Sequence, residues 1–330
     1  MNKALVTGGC GFLGAWIVRE LLSEGVEVRV QALPGEPTDN IADVLEQVEL
    51  VRGNVLSRQD CEAAVESCDT VFHVAAMYKD DMADPTLMYE VNDRGTFNMM
   101  EASRRAGVDT VIYTASVVSI GRSENGNEDT PYDAWEIDFH YSRSKYHSRE
   151  IAESFAAWDM DVRVVCPAIV IGPGDVGPTP SGKLLITMGR YIMPPVYVAG
   201  GVCYVDVRDA AKVHVLAAKN GKAGERYVAA GHNFTNEEFI GRCQKAVGRR
   251  GKLRKVPSGL AQNLVGGVET AWKLFGQEPP LTRTFFSYSL KTCYFDNRKS
   301  REELGATYRP FDETLRDAVA DFKRRGLIRT

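Results

Sequence analysis

The chain has 330 residues, of which 44% are hydrophobic and 25% are charged. This length allows about two domains, or one large α/β unit with an appendage, and the composition excludes an intrinsically disordered chain. The 40 Lys and Arg against 44 Asp and Glu give a net charge of −4, so the chain lacks the overall basic footprint of a nucleic-acid-binding protein. No apolar run approaches the ~18 residues of a membrane-spanning helix, and we expect no membrane partner.

The cysteines and histidines indicate no metal site. The seven cysteines are irregularly spaced with no C-x-x-C pair, and the five histidines show no metal-ligand spacing. An odd number of thiols fits a reducing cytoplasm, and the N-terminus lacks the apolar stretch of a signal peptide. We interpret one basic cluster as a solvated turn rather than a binding patch; it consists of Arg249, Arg250, Lys252, Arg254 and Lys255.

Short apolar runs alternate with helical patterns through the first half of the chain. The runs are rich in β-branched residues and cover 4–6, 26–30, 48–51, 71–75, 111–115 and 162–166. Continuous apolar runs are typical of parallel strands that are buried on both faces. Their alternation with helices, the first over 12–22, predicts a doubly wound parallel α/β sheet of the Rossmann type.

The pattern changes after Gly172, where a Pro/Gly-rich segment follows. We predict a dinucleotide-binding domain over residues 1–172 and a smaller substrate-binding domain over 173–202 and 232–330. Segments between about 203 and 231 are expected to return to the first domain, with strands at 204–207 and 227–229 joining the main sheet. The smaller domain should contain helices near 236–247 and 311–325.

A glycine-rich turn joins the first strand to the first helix. Gly8, Gly11 and Gly14 satisfy G-x-x-G-x-x-G, and Gly9, Gly11 and Gly14 satisfy G-x-G-x-x-G. Glycines allow a tight turn, a close approach to a pyrophosphate and close packing of the helix on the sheet. The helix N-terminus adds free N–H groups and partial positive charge. The turn therefore predicts a dinucleotide site.

The choice of cofactor is usually determined at the end of the second strand. The segment Gln31, Ala32 and Leu33 offers neither a carboxylate for a ribose hydroxyl nor an arginine for a 2′-phosphate. Because no base occurs between positions 30 and 40, we favour NAD(H) over NADP(H). Asn54, after Gly53, is placed to touch the adenine, although an ordinary turn asparagine explains it equally well.

The candidate catalytic residues are Ser116, Tyr141 and Lys145. Tyr141 and Lys145 are four residues apart, so on a helix they share one face. A nearby ammonium lowers the pKa of a tyrosine and makes it a usable general acid or base. Ser116 follows the strand at 110–115, and strand ends of a doubly wound sheet face the ligand crevice.

These motifs resemble extended short-chain dehydrogenase/reductases of the NAD-dependent epimerase/dehydratase superfamily. Within it, the chain is similar to the dihydroflavonol-reductase-like and hopanoid-associated sugar epimerase-like groups. The resemblance covers nearly the whole chain and is carried by residues 7–14, 72–76, 92–96, 113–116, 141–145, 167–174, 224–227 and 294–296.

The resemblance implies a role for each matching residue. Ser116, Tyr141 and Lys145 would form the catalytic triad, and Asn92 would support the site from a helix behind it. The cofactor contacts would be Thr7, Gly8, Gly11, Phe12, Leu13, Gly14, Asn54, Val55, Ala75, Ala76, Tyr141, Lys145 and Pro167. Family members usually pair through helices near 92–105 and 141–157, which implies a homodimer.

Three functions remain open. The resemblance favours an oxidoreductase acting on a ketone, an aldehyde or the matching alcohol. Val117 and Val118 replace the acidic pair of sugar dehydratases, and residues 201–203 and Cys166 lack the arginine and asparagine usual in nucleotide-sugar epimerases. Aromatic and apolar residues suited to a carbonyl substrate are Met77, Tyr78, Trp135 and Phe139. An NAD-dependent sugar epimerase and a non-catalytic nicotinamide-binding redox sensor are the alternatives.

Overall fold

The structure is a computed structural model that describes residues 1–78, 84–133, 139–192, 195–275 and 282–328. Its strands, in chain order, are β1 Lys3–Thr7, β2 Glu27–Ala32, β3 Val48–Arg52, β4 Thr70–His73, β5 Thr110–Thr114, β6 Asp161–Pro167, β7 Ile169–Ile171, β8 Val196–Tyr197, β9 Gly201–Asp206, β10 Arg226–Ala229, β11 His232–Thr235, β12 Arg254–Lys255 and β13 Thr292–Cys293.

The helices complete the elements. In chain order they are α1 Phe12–Ser23, α2 Arg58–Val65, α3 Thr86–Tyr89, α4 Gly95–Ala106, α5 His140–Ser154, α6 Pro180–Gly189, α7 Val207–Asn220, α8 Asn236–Ala246, α9 Ser258–Leu274, α10 Arg283–Ser289, α11 Arg298–Leu304 and α12 Phe311–Arg324. A π-helical turn, Glu90–Arg94, joins α3 to α4.

A seven-stranded parallel sheet is the centre of the larger unit, in the order β3-β2-β1-β4-β5-β6-β10. Each apolar run predicted from the sequence overlaps one of these strands, so the doubly wound α/β prediction is confirmed. The strand order reverses between β1 and β4, which is the topological switch point where such sheets bind ligands.

Helices cover both faces of this sheet. α1 and α7 pack together on one face, where Ile17, Val18 and Val213 are buried. α2, α4 and α5 cover the other face, where Met99 and Ala152 are buried. Burial on both faces explains why the strands are continuous apolar runs rather than alternating ones.

A second, smaller sheet follows β6. β9 lies at its centre and pairs with β7, β11 and β13. The prediction that residues 204–207 return to the main sheet is therefore wrong, whereas 227–229 do join it as part of β10. Every residue of β9 is buried, so its sequence is as apolar as that of a strand in the main sheet and does not reveal which sheet it joins.

An aromatic core holds the smaller unit together. The Tyr204 ring on β9 stacks on Phe239 of α8 at a centroid distance of 4.0 Å, and Phe311 of α12 lies 5.7 Å from Tyr204. At its border with α7, the Arg309 guanidinium binds the Asp209 carboxylate at 2.8 Å. This ion pair ties the start of α7 to the chain entering α12.

Candidate active site

A cleft of about 1010 Å³ runs along the carboxyl ends of the parallel strands. Its walls bring together the glycine-rich turn, the segments after β3, β4 and β5, and the first two turns of α5. Of the residues predicted for the site, those on the cleft wall are Gly8, Gly11, Phe12, Leu13, Gly14, Asn54, Val55, Ala75, Ala76, Ser116, Tyr141, Lys145 and Pro167.

The glycine-rich turn has the shape of a pyrophosphate cradle. Gly8 adopts a left-handed φ of 66°. A Cβ on Gly14 would lie 2.2 Å from the Gly8 carbonyl oxygen, so only glycine fits there. α1 begins after Gly11, and no side chain caps its first N–H groups. These residues fit a dinucleotide, because close backbone approach and a positive helix end are both present.

Thr7 lies below the cleft rather than on its wall. Its side chain is fully buried, and its hydroxyl oxygen accepts hydrogen bonds from the backbone N–H groups of Val74 and Ala75, both at 3.1 Å. The same oxygen contacts His73 Nδ1 at 2.9 Å. Thr7 thus joins β1 to the segment after β4 and positions the wall that Ala75 forms.

We call the part of the cleft beside the ends of β2 and β3 the adenosine end, because the predicted adenine contact Asn54 lies there. It contains a carboxylate and a guanidinium that the sequence motifs did not indicate. Glu36 lines the cleft, and its Oε2 accepts a hydrogen bond from the Leu33 N–H at 2.8 Å. Arg52 donates to the carbonyl oxygens of Leu33 and Glu36 at 3.0 and 2.8 Å. Gln31 is buried with its Oε1 unpaired among the described residues, facing the same region. Asn54 also lines the cleft, and its Oδ1 accepts a hydrogen bond from the Leu56 N–H.

Lys145 is buried at the end of the cleft that Tyr141 lines. Its Nζ donates to the Thr114 carbonyl at 2.7 Å and to Tyr113 Oη at 3.2 Å. Burial lowers the pKa of Lys145, and the Tyr141, Cys166 and Asp93 groups oppose that effect. The ammonium is therefore fixed in place by β5, one helical turn after Tyr141.

The pKa of Tyr141 shows two opposing influences. Burial of the phenol raises the pKa above its ordinary value, while the Lys145 charge and a hydrogen bond with Ser116 lower it. The predicted effect of Lys145 is right in sign, but burial outweighs it and Tyr141 is a protonated phenol at neutral pH. Ser116 follows β5 directly, and its Oγ accepts a hydrogen bond from Val118 N at 3.3 Å.

Asn92 positions the cleft wall from the π-helical turn. Its Oδ1 accepts a hydrogen bond from Met77 N at 2.7 Å, and its Nδ2 donates to the Met77 carbonyl and to Ser144 Oγ. The neighbouring Asp93 has a buried Oδ1 without a hydrogen bond in the part of the chain that is described. Burial raises the pKa of Asp93 to about 7, partly offset by Lys145. π-helical turns often occur at functional sites.

Aromatic side chains surround the Tyr141 ring. Tyr78 meets it edge-on at a centroid distance of 4.6 Å, and Phe139 lies 5.9 Å away. Both line the cleft together with Met77. Trp135, the remaining residue predicted for this wall, lies outside the described residues.

The smaller unit closes the cleft with residues that the sequence motifs did not indicate. Thr282, Cys293 and Phe295 form one wall, and Lys183 on α6 forms another. They come from segments far apart in the chain, so no local pattern connects them. Nothing in the sequence around Lys183 sets it apart from the other lysines. Its functional candidacy rests only on its place on the cleft wall.

Two histidines, His73 and His214, have structural roles. Burial lowers the pKa of His73 to about 3 and that of His214 to about 4, so both are neutral. His73 bridges Thr7 and Thr96 between strands and helix. Within the described ranges, no group of three or more His, Cys, Asp or Glu side chains could hold a metal ion. The helices described there include none long and apolar enough to cross a bilayer.

Comparison with known proteins leads to the same family that the sequence motifs resemble. Residues 4–230 match the model of the NAD dependent epimerase/dehydratase family. The chain is 31% identical to a putative dihydroflavonol 4-reductase of Synechocystis sp., covering 98% of this chain and 96% of the relative. It is 30% identical to sterol demethylase protein B of Methylococcus capsulatus, covering 98% and 99%. The crystal structure of gox2253 matches with a TM-score of 0.86 and 30% identity over 100% of both chains.

The chain belongs to the NAD dependent epimerase/dehydratase family. It is an NAD(P)-dependent enzyme of the extended short-chain dehydrogenase/reductase type, which confirms the resemblance carried by the motifs.

The cradle predicts the effect of Gly14→Ala. The added methyl collides with the Gly8 carbonyl and must distort the turn, so NADH affinity should fall by about tenfold or more, since displacing even one charge-assisted contact costs that much. Fluorescence titration with NADH measures it. Gly267→Ala, where a Cβ meets nothing within 4 Å, is the control and should bind normally. Unchanged affinity in Gly14→Ala would mean that the cofactor does not bind at this turn.

Proposed function

We propose that this enzyme transfers a hydride between a nicotinamide cofactor and a ketone, an aldehyde or the matching alcohol, with Ser116, Tyr141 and Lys145 as its catalytic residues. The observation that carries the proposal is their convergence at one end of the cleft whose other end is the glycine cradle. The reductase name of a relative that matches nearly the whole chain supports it. Retention of both Tyr141 and Lys145 counts against a redox sensor without turnover.

Each catalytic residue has a separate task in carbonyl reduction. The cofactor supplies the hydride to the carbonyl carbon. Ser116 Oγ–H donates a hydrogen bond to the carbonyl oxygen and orients it. Tyr141 Oη transfers its proton to that oxygen as negative charge develops, so the product is a neutral alcohol. The Lys145 ammonium stabilises the tyrosinate that remains, and its bonds to Thr114 and Tyr113 prevent it from moving away.

The substrate end of the cleft favours an apolar or aromatic carbonyl compound. Tyr78 and Phe139 lie against the Tyr141 ring, and Met77 lines the same cleft. Val202 and Cys203 occupy the wall where the sugar epimerases place an arginine, and neither carries charge. Apolar walls around a few polar groups are typical of small-molecule sites. The relative named for sterol demethylation is consistent with a large apolar substrate.

An NAD-dependent sugar epimerase is the second candidate because of one observation. Lys183 lies on the cleft wall and forms no ion pair with an acid among the described residues, so it could serve the diphosphate of a sugar nucleotide. In that reaction the cofactor is regenerated in each turnover, and no net oxidation of NADH accompanies product formation.

We propose NAD(H) as the preferred cofactor. Glu36 brings a carboxylate to the adenosine end of the cleft, where it would repel a 2′-phosphate and accept a hydrogen bond from a ribose hydroxyl. Arg52 lies beside it but is engaged by two carbonyl oxygens. Discrimination should therefore be modest.

We also propose a homodimer that acts in a reducing compartment. No disulfide joins the seven cysteines, and all of them are buried, which suits the cytoplasm. On the outer surface of α4 and α5, Phe97 is 39% exposed and its ring lies 5.7 Å from Phe155. An exposed aromatic on this face fits the pairing through two helices that is usual among relatives of this type.

Removal of the Tyr141 hydroxyl tests the proposed acid. Tyr141→Phe should keep NADH binding and lower kcat for ketone or aldehyde reduction by about 10²–10⁴-fold. Tyr78→Phe keeps the neighbouring ring and should retain most activity. Because the pKa of Tyr141 is raised, the phenol stays protonated through neutral pH, so the wild-type reduction rate should be constant there. It should fall at alkaline pH, where Lys145, whose pKa is lowered by burial, loses its charge. The rate of NADH oxidation with a panel of carbonyl compounds measures the two variants and the pH dependence of the wild type. A near wild-type rate in Tyr141→Phe would refute the assignment of Tyr141 as the acid.

The cofactor preference should respond to charge at the adenosine end. Glu36→Gln removes the repulsion of a 2′-phosphate and Leu33→Arg adds an attraction, so each should shift kcat/KM towards NADP(H), by about tenfold for the arginine. Glu46→Gln, on the same segment but away from the cleft, is the matched control. A wild type that already selects NADP(H) strongly would contradict the proposal and point to Arg52 as the phosphate ligand.

Light scattering tests the assembly. The wild type should have the mass of two chains at micromolar concentration, and Phe97→Asp should dissociate it because a carboxylate cannot be buried at an apolar interface without large cost. A monomeric wild type would exclude the proposed pairing.

A further inference from the structure

An exposed apolar surface that the fold does not explain lies on α9 (Ser258–Leu274). Leu260, Leu264, Val268 and Trp272 recur at every fourth residue and are 55, 60, 41 and 40% exposed. Residues four apart lie on one side of a helix. Phe275, directly after the helix and three residues beyond Trp272, is 82% exposed, and the last helical residue, Leu274, is 81% exposed. We call these six side chains the α9 apolar face.

α9 differs from an ordinary surface helix because its large apolar side chains are exposed, while the buried positions of the helix are held by small residues such as Ala261 and Gly266. An amphipathic helix of a globular protein turns its apolar stripe to the core. α9 packs against α10, and Glu269 Oε2 accepts a hydrogen bond from Arg283 N at 2.9 Å. The polar Glu269 thus faces the protein while the apolar face is directed to solvent. Contiguous exposed apolar surface of this kind marks an interaction site.

A positively charged segment adjoins the N-terminal end of this face. Arg250, Lys252, Arg254 and Lys255 are exposed, and none of them forms an ion pair with an acid among the described residues. β12, Arg254–Lys255, is separated from α9 by only two residues. This segment is the basic cluster that the sequence suggested to be a solvated turn, in a chain whose net charge is −4. The positive charge is therefore concentrated in this segment and does not extend to the chain as a whole.

Although the sequence predicts no membrane partner, we propose that the α9 apolar face and the basic segment bind a bilayer surface that contains anionic lipid. A helix with a broad apolar face and adjacent Lys and Arg lies in the plane of the membrane interface. The basic side chains contact anionic headgroups, and Trp272 has the amphipathic ring favoured at that depth. A second copy of the chain would cover the apolar face but would leave the exposed basic segment without a role.

The docked helix is directly connected to the substrate end of the cleft. The Glu269–Arg283 contact fixes the start of α10, and Thr282, immediately before it, is buried and lines the cleft. Docking would therefore place the wall made by Thr282 close to the bilayer, where apolar molecules are concentrated. This consequence depends on the proposed apolar substrate, whereas lipid binding itself does not.

Vesicle co-sedimentation of the full-length protein tests the inference. The wild type should sediment with phosphatidylcholine vesicles that contain phosphatidylglycerol, much less with phosphatidylcholine alone, and less at high salt because screening weakens the basic contacts. Leu264→Asp should lower the partition coefficient by about tenfold or more. Val176→Asp, at a residue 42% exposed in the loop whose carbonyl oxygens Arg325 contacts, should bind like the wild type.

The electrostatic part has its own matched pair of variants. Arg254→Glu with Lys255→Glu should lower binding to the anionic vesicles by about tenfold or more. Arg298→Glu with Arg316→Glu, two residues with side chains 71% exposed, makes the same change in net charge and should have little effect. Circular dichroism and NADH titration establish that each variant is folded.

Three results would overturn the inference. A wild type that remains in the supernatant with anionic vesicles excludes the lipid surface, and so does equal sedimentation of Leu264→Asp. A wild-type oligomer that Leu264→Asp breaks into smaller units, without any vesicle binding, would show that the apolar face pairs copies of the chain. None of these results bears on Tyr141 or on hydride transfer, so the proposed function is tested separately.

Discussion

The burial of the Lys145 ammonium is the constraint on which the active site depends. A buried ammonium is costly unless it is fully hydrogen-bonded, and here the Thr114 carbonyl and Tyr113 hydroxyl of β5 provide the partners. These bonds fix α5 against the end of β5. Tyr141, one turn earlier on α5, and Ser116, two residues beyond β5, are therefore brought to the same point. Replacing either element would leave a buried charge without its partners.

Much of the fold could be predicted because its determinants are local. Continuous apolar runs, the glycine turn and the spacing of Tyr141 and Lys145 each lie within a few residues, and they were sufficient for the parallel sheet and for most of the cleft wall. The prediction failed at β9, because a fully buried strand has the same composition whichever sheet it joins. The pairing of β9 with β7, β11 and β13 is long-range information.

The rest of the site depends on contacts between distant segments. Glu36 reaches the adenosine end from a loop, Lys183 and Phe295 come from the smaller unit, and the half-buried Asp93 lies on a π-helical turn. The pKa of Tyr141 is another example. The sequence shows that Lys145 is near, but the desolvation that outweighs its charge comes from the whole surrounding structure. The α9 apolar face likewise has the pattern of an ordinary amphipathic helix until its orientation is known.

The central claim is that this site carries out net hydride transfer to a carbonyl carbon. The most direct measurement uses NADH or NADPH labelled with deuterium at the transferable position of the nicotinamide, a panel of apolar ketones and aldehydes, and mass spectrometry of the products. The account predicts one deuterium on the carbinol carbon of the product alcohol for each cofactor oxidised. A label that stays on the cofactor while a sugar nucleotide is interconverted, or no labelled product from any carbonyl compound, would contradict it.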